Sequence, residues 1–259
     1  MRTLLTAALC LISLTCLAQI QPTQQKNSQP SSQDGGVHEV LESIVVPPIP
    51  HAPFYATLAT EWVKYSADGN TMTFVNERHI ARDSLGRVYE ERWFLVPKNG
   101  SVKSRMNWIQ VLDPKLHTLY NCSPFKRMCD LLVYNPAGDL AAASLHKGSS
   151  GALPDGQGTV AWEELGTRNI AGVETVGVRQ TTITNPGALG NDLPLTSTSE
   201  YWHSEQLGIN LLSIRSSPFF GKQTFTITDL TPGDPDPQLF ELPAGYKVTD
   251  QRKNPPISY

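Results

Sequence analysis

The residues whose types are best suited to catalysis lie in segment 200–205 (EYWHSE), in the second half of the chain. If this segment is a strand, alternation places His203 and Glu205 on one face, where an imidazole and a carboxylate could act as general acid and base. The segment equally suits a solvated strand end beside a buried tryptophan, and we favour that interpretation. His79 lies among charged residues, and we expect it on the solvated face of a β-ribbon.

Other catalytic and metal-binding motifs are missing from the sequence. It contains no Gly-x-Ser-x-Gly nucleophile elbow, no His-Glu-x-x-His zinc motif and no phosphate-binding glycine loop. Asp234 and Asp236 flank a proline, but the pattern lacks the further oxygen donors and the central glycine of a calcium loop. We therefore expect a non-enzymatic protein with no metal and no cofactor. A secreted hydrolase that uses His203 with Glu205 is the enzymatic alternative.

The composition indicates a globular chain with a sizeable core. The 259 residues are 39% hydrophobic and 17% charged, and the formal net charge is −3. This balance does not fit a collagen-like chain, a coiled coil or a protein with several membrane spans. It also excludes a dedicated nucleic-acid binder, because such proteins need a basic surface to engage phosphates.

The first eighteen residues have the pattern of a secretory signal peptide. Arg2 supplies the positive start, an apolar run covers 4–17, and Ala18 precedes a polar stretch. We predict cleavage after Ala18 and a periplasmic or secreted protein. Lipidation at Cys16 is the alternative. No later segment is apolar and long enough to cross a bilayer, so we expect no transmembrane span in the mature chain.

The cysteines indicate one disulfide. Cys10 and Cys16 lie in the predicted signal peptide, which leaves Cys122 and Cys129. Two cysteines separated by a short loop in an oxidising compartment are typical of a disulfide bond. Two free buried thiols are the alternative.

The chain divides into four predicted regions. Residues 1–18 are the signal peptide, and residues 19–50 are a disordered leader rich in Gln, Ser and Pro. Residues 51–248 are expected to form a single β-rich domain, and residues 249–259 a disordered tail.

Within the predicted domain most segments favour strands. Segments 71–82 and 87–96 flank a short loop with a glycine, which is typical of a β-hairpin. Segment 222–230 alternates apolar and polar residues, whereas segment 106–112 is apolar on both faces. The second pattern indicates a sheet covered on both sides. Segment 139–147 (DLAAASLHK) is the best predicted helix.

The order of motifs in the second half resembles a known family. An Ile-Ala-Gly-Val turn at 170–173 is followed by Glu-x-Trp-x-Ser-x-x-Leu at 200–207 and a threonine-rich strand at 222–230. Asp-Pro-x-Leu-Phe-x-Leu-Pro-x-Gly-Tyr at 236–246 completes the pattern. This layout resembles secreted bacterial envelope proteins of the lipoprotein-carrier (LolA-like) superfamily. The resemblance implies a mainly β fold: a single antiparallel sheet curved into a half-barrel, with one or two short helices on its concave face.

The resemblance also implies a hydrophobic ligand inside the half-barrel. The ligand would be a lipid or a lipoprotein acyl chain, and five aromatic residues could line its site: Trp62, Phe74, Trp93, Trp108 and Phe225. The same residues could instead fill the core. The alternative function is a structural module that docks an envelope protein, and we expect no nucleic-acid partner.

Overall fold

The computed structural model describes residues 43–143 and 148–253. All of these residues belong to one compact unit. The predicted signal peptide, the leader up to residue 42 and the last six residues of the predicted tail lie outside the described residues. The limits of the signal peptide, and the disorder predicted for residues 19–42 and 254–259, therefore stay predictions. Thr249 and Asp250, which were predicted to belong to the disordered tail, lie in a strand.

The described residues form one sheet of fourteen strands. The strands are β1 (Phe54–Tyr65), β2 (Thr71–Arg82), β3 (Val88–Trp93), β4 (Val96–Pro97), β5 (Met106–Asp113), β6 (Thr118–Ser123), β7 (Met128–Val133), β8 (Gly151–Ala152), β9 (Gly158–Ile170), β10 (Val173–Thr184), β11 (Leu195–Ser204), β12 (Ile209–Ser217), β13 (Gly221–Pro232) and β14 (Lys247–Asp250).

The sheet runs in the order β14-β7-β6-β5-β3-β2-β1-β13-β12-β11-β10-β9-β8, with β4 beside β2. Its strands pair antiparallel apart from β14, which is parallel to β7. The sheet is open and curved, and its two ends do not pair with each other. The predicted mainly β fold with a single curved antiparallel sheet is confirmed.

The described part of the chain contains one α-helix, α1 (Pro136–Ala143). It begins three residues before the predicted helix, and residues 144–147 of that prediction lie outside the described residues. Only Ala143 of this helix is buried. Two short 3-10 turns, Pro154–Gly156 and Pro237–Phe240, complete the elements. No described helix has the length and apolar character needed to cross a membrane.

One face of the sheet is covered by an extended segment, residues 43–49, which we call the strap. Its Ile44 and Val46 are buried in the same core cluster as Phe54, Ala56 and Ile80. Residues 43–50 were predicted to belong to the disordered leader, and for this part the prediction was wrong. Burial of these two apolar side chains in an apolar cluster favours an ordered strap.

The strap is held by the fully buried guanidinium of Arg82. Its Nη1 donates to the carbonyl oxygen of Pro47 at 2.9 Å, and its Nε and Nη2 donate to that of Ala52 at 3.0 and 2.7 Å. Nη2 also donates to the carbonyl oxygen of Leu207, in the turn between β11 and β12. Burial lowers the pKa of Arg82 to about 10. One side chain thus joins the strap to the chain just before β1 and to the turn between β11 and β12.

The opposite face, the tail face, is covered by the turn Pro237–Phe240. Phe240 packs in a second core cluster with Ala81, Tyr89 and Val111. Asp236 caps this turn by accepting a hydrogen bond from the Gln238 amide at 2.9 Å. The centre of the sheet therefore has a core cluster on each face, as the apolar residues on both faces of segment 106–112 predicted.

The predicted disulfide between Cys122 and Cys129 is present. The two residues are cross-strand partners in β6 and β7, and both are buried. A bond that closes so short a loop stabilises the fold by about 2–3 kcal/mol.

Candidate ligand groove and buried polar clusters

The sheet opens between β2 and β3. Their backbone pairing covers only Ile80–Arg82 and Val88–Glu90, and the start of β2 pairs with β4 instead. In the gap, Asn76 Nδ2 donates to the carbonyl oxygen of Trp93 at 2.7 Å, and Arg78 Nη1 donates to that of Glu91 at 3.3 Å. Side-chain donors thus replace the missing backbone hydrogen bonds between the two strands, because buried carbonyl groups need a hydrogen-bond partner.

A buried carboxylate, that of Glu91, organises the tail face at this opening. Its Oε1 accepts a hydrogen bond from the Tyr89 hydroxyl at 2.9 Å. Its Oε2 accepts from the Trp93 indole at 2.8 Å and from the His79 backbone amide at 3.1 Å. The His79 ring stacks on Tyr55 with centroids 5.3 Å apart. His79 therefore lies on a polar and aromatic surface rather than on a purely charged one.

Beside this cluster the tail face carries an open groove of about 510 Å³. Its apolar floor contains Trp93, Val75, Val96 and Ala59. Thr60, Glu61, Asn76, Glu77, Lys98, Ser104, Thr224 and Thr226 complete the lining. At the rim, Lys98 Nζ pairs with Glu61 Oε2 at 2.6 Å. The groove thus has an apolar floor and charged groups at one side.

A second cavity, of about 590 Å³, lies between the strap and strands β3, β5 and β6. Its polar groups bind one another: Arg92 Nε donates to Gln110 Oε1 at 2.8 Å, and Arg92 Nη2 pairs with Glu90. The Tyr134 hydroxyl donates to Asp139 Oδ2 at 2.7 Å. These groups need no ligand for their hydrogen bonds, so this cavity is the weaker candidate.

The five aromatic residues predicted to line a ligand site do not lie around one cavity. Trp62 and Phe74 are cross-strand partners with ring centroids 6.5 Å apart, on the face that the strap covers. Trp108 lies on that same face opposite Arg92. Phe225 is only 1% exposed and packs in the core. Core packing was the alternative to ligand binding that we considered for all five residues. Trp93 lines the groove.

The segment with acid–base potential has a different arrangement from the one that alternation suggested. His203 is buried near the end of β11, and its Nδ1 lies 3.1 Å from Asn210 Oδ1. Glu205 is exposed in the turn that follows β11. The Trp202 ring is buried against Gly177, where a Cβ atom would lie 2.7 Å from the ring. The buried tryptophan that we favoured is present, but the strand end beside it is not solvated, because His203 and Ser204 are buried as well.

The described residues contain no group of three or more His, Cys, Asp or Glu side chains placed to hold a metal ion. Sequence reasoning missed the groove residues Val75, Val96 and Ala59, and the burial of Glu91 and of Arg78. The only signal, and only for Arg78, was the run of charged residues around His79, which we had assigned to a solvated face.

Two buried tyrosines give an expected pH dependence. Burial raises the pKa of Tyr89 and of Tyr134, and the nearby carboxylates of Glu91 and Asp139 raise both further. A group whose pKa is raised by folding contributes stability that is fully present below its unfolded value, here 10.0, and is lost at higher pH. We expect the free energy of unfolding to fall above pH 10, by up to about 1.4 kcal/mol per pH unit for each tyrosine.

Urea unfolding followed at several alkaline pH values measures this dependence, with tyrosinate absorbance as the second readout. Tyr134→Phe is the matched control, because it keeps the ring and removes one ionisation. A free energy of unfolding that stays flat or rises above pH 10 would contradict the prediction.

No protein-family model matches this sequence, and no curated protein matches it. Several solved structures are similar. The complex of MucA and MucB from Pseudomonas aeruginosa matches 77% of this chain and 58% of that chain, at 16% identity and a TM-score of 0.36. The lipoprotein LppX from Mycobacterium tuberculosis matches 70% of this chain and 87% of that chain, at 10% identity and a TM-score of 0.30.

A domain described as outer membrane lipoprotein-sorting, from Vibrio parahaemolyticus, matches 72% of this chain and 88% of that chain, at 10% identity and a TM-score of 0.17. The class that the sequence resemblance named is therefore present among the similar structures. This chain spans less than two thirds of the MucB chain. All three TM-scores lie below 0.5, so these likenesses assign no ligand, partner or activity.

Proposed function

We propose that this protein is an exported, non-enzymatic binding protein of the cell envelope that holds a lipid or acyl chain in the tail-face groove. The observation that carries the proposal is the groove itself, where an apolar floor opens to solvent beside a charged rim. Its volume of about 510 Å³ lies in the range of small-ligand sites, which are mostly apolar with a few placed polar groups.

The opening between β2 and β3 supports this assignment. The sheet is parted beside the groove, and the strands are tied by side chains from Asn76 and Arg78 rather than by a continuous ladder. Glu91 orients the Trp93 indole through a direct hydrogen bond. The largest apolar surface of the groove is therefore held in place before a ligand arrives, which reduces the ordering cost of binding.

The second candidate is a module that docks an envelope protein, and the outer edge of β9 favours it. β9 pairs with β8 only through Thr159 and Val160, so the rest of its outer edge, to Ile170, has no strand partner among the described residues. An exposed edge can accept an extended peptide by strand addition. Charged side chains at Glu163 and Arg168 limit unspecific pairing along this edge.

The deciding experiment compares wild type with a variant whose groove is filled. In Ala59→Phe the new ring projects into the groove from β1, on the face shared with Glu77 and Thr226. Native mass spectrometry of protein purified from an exporting host should show a bound acyl-lipid mass in wild type. We expect at least a tenfold loss of that species in the variant, because the ring occupies the ligand's volume.

Ala161→Phe is the matched control, since Ala161 is exposed on β9, far along the sheet from the groove. This variant should bind as wild type does. Wild-type protein that carries no lipid and takes up none from added fatty acid would overturn the lipid proposal and favour the docking candidate. Equal binding by both variants would overturn the assignment to the groove.

A further inference from the structure

The hairpin between β6 and β7 ends in an exposed aromatic tip. We call residues 122–129 (CSPFKRMC) the tip. Phe125 is 89% exposed, the highest value among the large hydrophobic side chains of the described chain. Met128, on the same tip, is also exposed. An aromatic ring that is this exposed contributes little to the core and is free to contact another surface.

The tip is rigid at its base. The disulfide joins Cys122 and Cys129, the residues that bracket the loop. The Lys126 amide donates to Ser123 Oγ at 3.4 Å, and the Arg127 carbonyl oxygen accepts from the Lys247 amide at 3.0 Å. Phe125 is therefore presented by a cross-linked loop and would lose little conformational freedom on binding.

The tip is also basic, in a chain of net charge −3. Lys126 and Arg127 adjoin Phe125, and Lys247 pairs with Met128 across β14 and β7. Residues 122–129 include no acidic side chain. None of the three cationic side chains has an ion-pair partner in the described part of the chain. Their charge is therefore available to an external anion.

We propose that this tip docks the protein on an anionic phospholipid surface, with Phe125 in the headgroup region and the cations on lipid phosphates. Aromatic rings favour that region, and each nearby Lys or Arg adds electrostatic attraction. A single loop of this size is too small for a stable protein interface, which needs more than about 1,000 Å². A bilayer requires no such area, because one buried ring and a few charges give reversible binding.

Cosedimentation of the mature protein with vesicles tests this inference. Vesicles of phosphatidylglycerol and phosphatidylcholine should bind the protein, and vesicles of phosphatidylcholine alone should bind it much less. Phe125→Ser should weaken partitioning at least about tenfold. Lys126→Gln and Arg127→Gln should each weaken it about fivefold, and added salt should remove that difference.

Leu193→Ser is the matched control, since Leu193 is 74% exposed in the loop between β10 and β11. It should leave partitioning unchanged, and Phe125→Trp should retain it. Equal partitioning of wild type and Phe125→Ser, or no binding to anionic vesicles at low salt, would overturn the inference. Because the tip substitutions change no residue that lines the groove, equal partitioning of wild type and Phe125→Ser would leave the proposed function standing.

Discussion

Replacing Arg82 by methionine is expected to lower the free energy of unfolding by about 3–5 kcal/mol. Methionine matches much of the volume of the side chain but donates no hydrogen bond, so the carbonyl groups of Pro47, Ala52 and Leu207 lose their guanidinium donor. The gain from no longer burying a charge offsets only part of this loss, because backbone carbonyls cannot be replaced by apolar groups. Urea denaturation measures the change.

The same variant should release the strap before the sheet unfolds. Limited proteolysis under native conditions should therefore cut Arg82→Met within residues 43–52 at concentrations of protease that leave wild type intact. Arg179→Met is the matched control, because Arg179 is partly exposed and pairs with Glu163 and Glu200 on the surface. It should cost at most about 1 kcal/mol. A wild-type urea midpoint for Arg82→Met would refute the role assigned to this side chain.

Replacing Glu91 by leucine should lower the free energy of unfolding by about 3–5 kcal/mol. Leucine leaves the Trp93 indole, the His79 amide and the Tyr89 hydroxyl without their shared acceptor. The indole N–H and the amide N–H can only donate a hydrogen bond, whereas a hydroxyl can also accept one. Because Trp93 forms the groove's largest apolar surface, lipid binding should weaken along with stability.

Glu91→Gln separates hydrogen bonding from charge. Its amide oxygen can accept from Trp93 and His79, and its amide nitrogen can donate to the Tyr89 hydroxyl, which can act as an acceptor. We expect a loss of only about 1 kcal/mol for glutamine. Equal losses in the leucine and glutamine variants, measured by urea denaturation, would mean that the charge of Glu91 matters and its acceptor role does not.

Local patterns were sufficient to predict most of the long strands and the disulfide. The alternation in segment 222–230 predicted β13, and the short glycine loop after Arg82 predicted the β2–β3 hairpin. Both signals act between residues close in sequence, where side-chain alternation and turn geometry operate directly. The two cysteines became cross-strand partners for the same reason, since they bracket one hairpin loop.

The strap was missed because its stabilising contacts are remote in sequence. The carbonyl oxygens of Pro47 and Leu207 both accept hydrogen bonds from the Arg82 guanidinium, and Leu207 lies 125 residues beyond Arg82 in the sequence. A composition rich in Gln, Ser and Pro before it predicted disorder, and nothing local to Ile44 and Val46 indicated an apolar surface for them. Similarly, nothing near residue 247 predicted a parallel pairing with β7.

The sequence by itself determined that this chain forms a mainly β fold with apolar residues on both faces, and which two cysteines were available for a bond. The tertiary structure alone decided which aromatic residues meet. Trp62 and Trp93 face opposite sides because strand register and the parting of β2 from β3 set their directions, and a register is fixed by the whole sheet. The same parting buries Arg78, which was expected in water, because its guanidinium bonds the Glu91 carbonyl oxygen across the gap between the two strands.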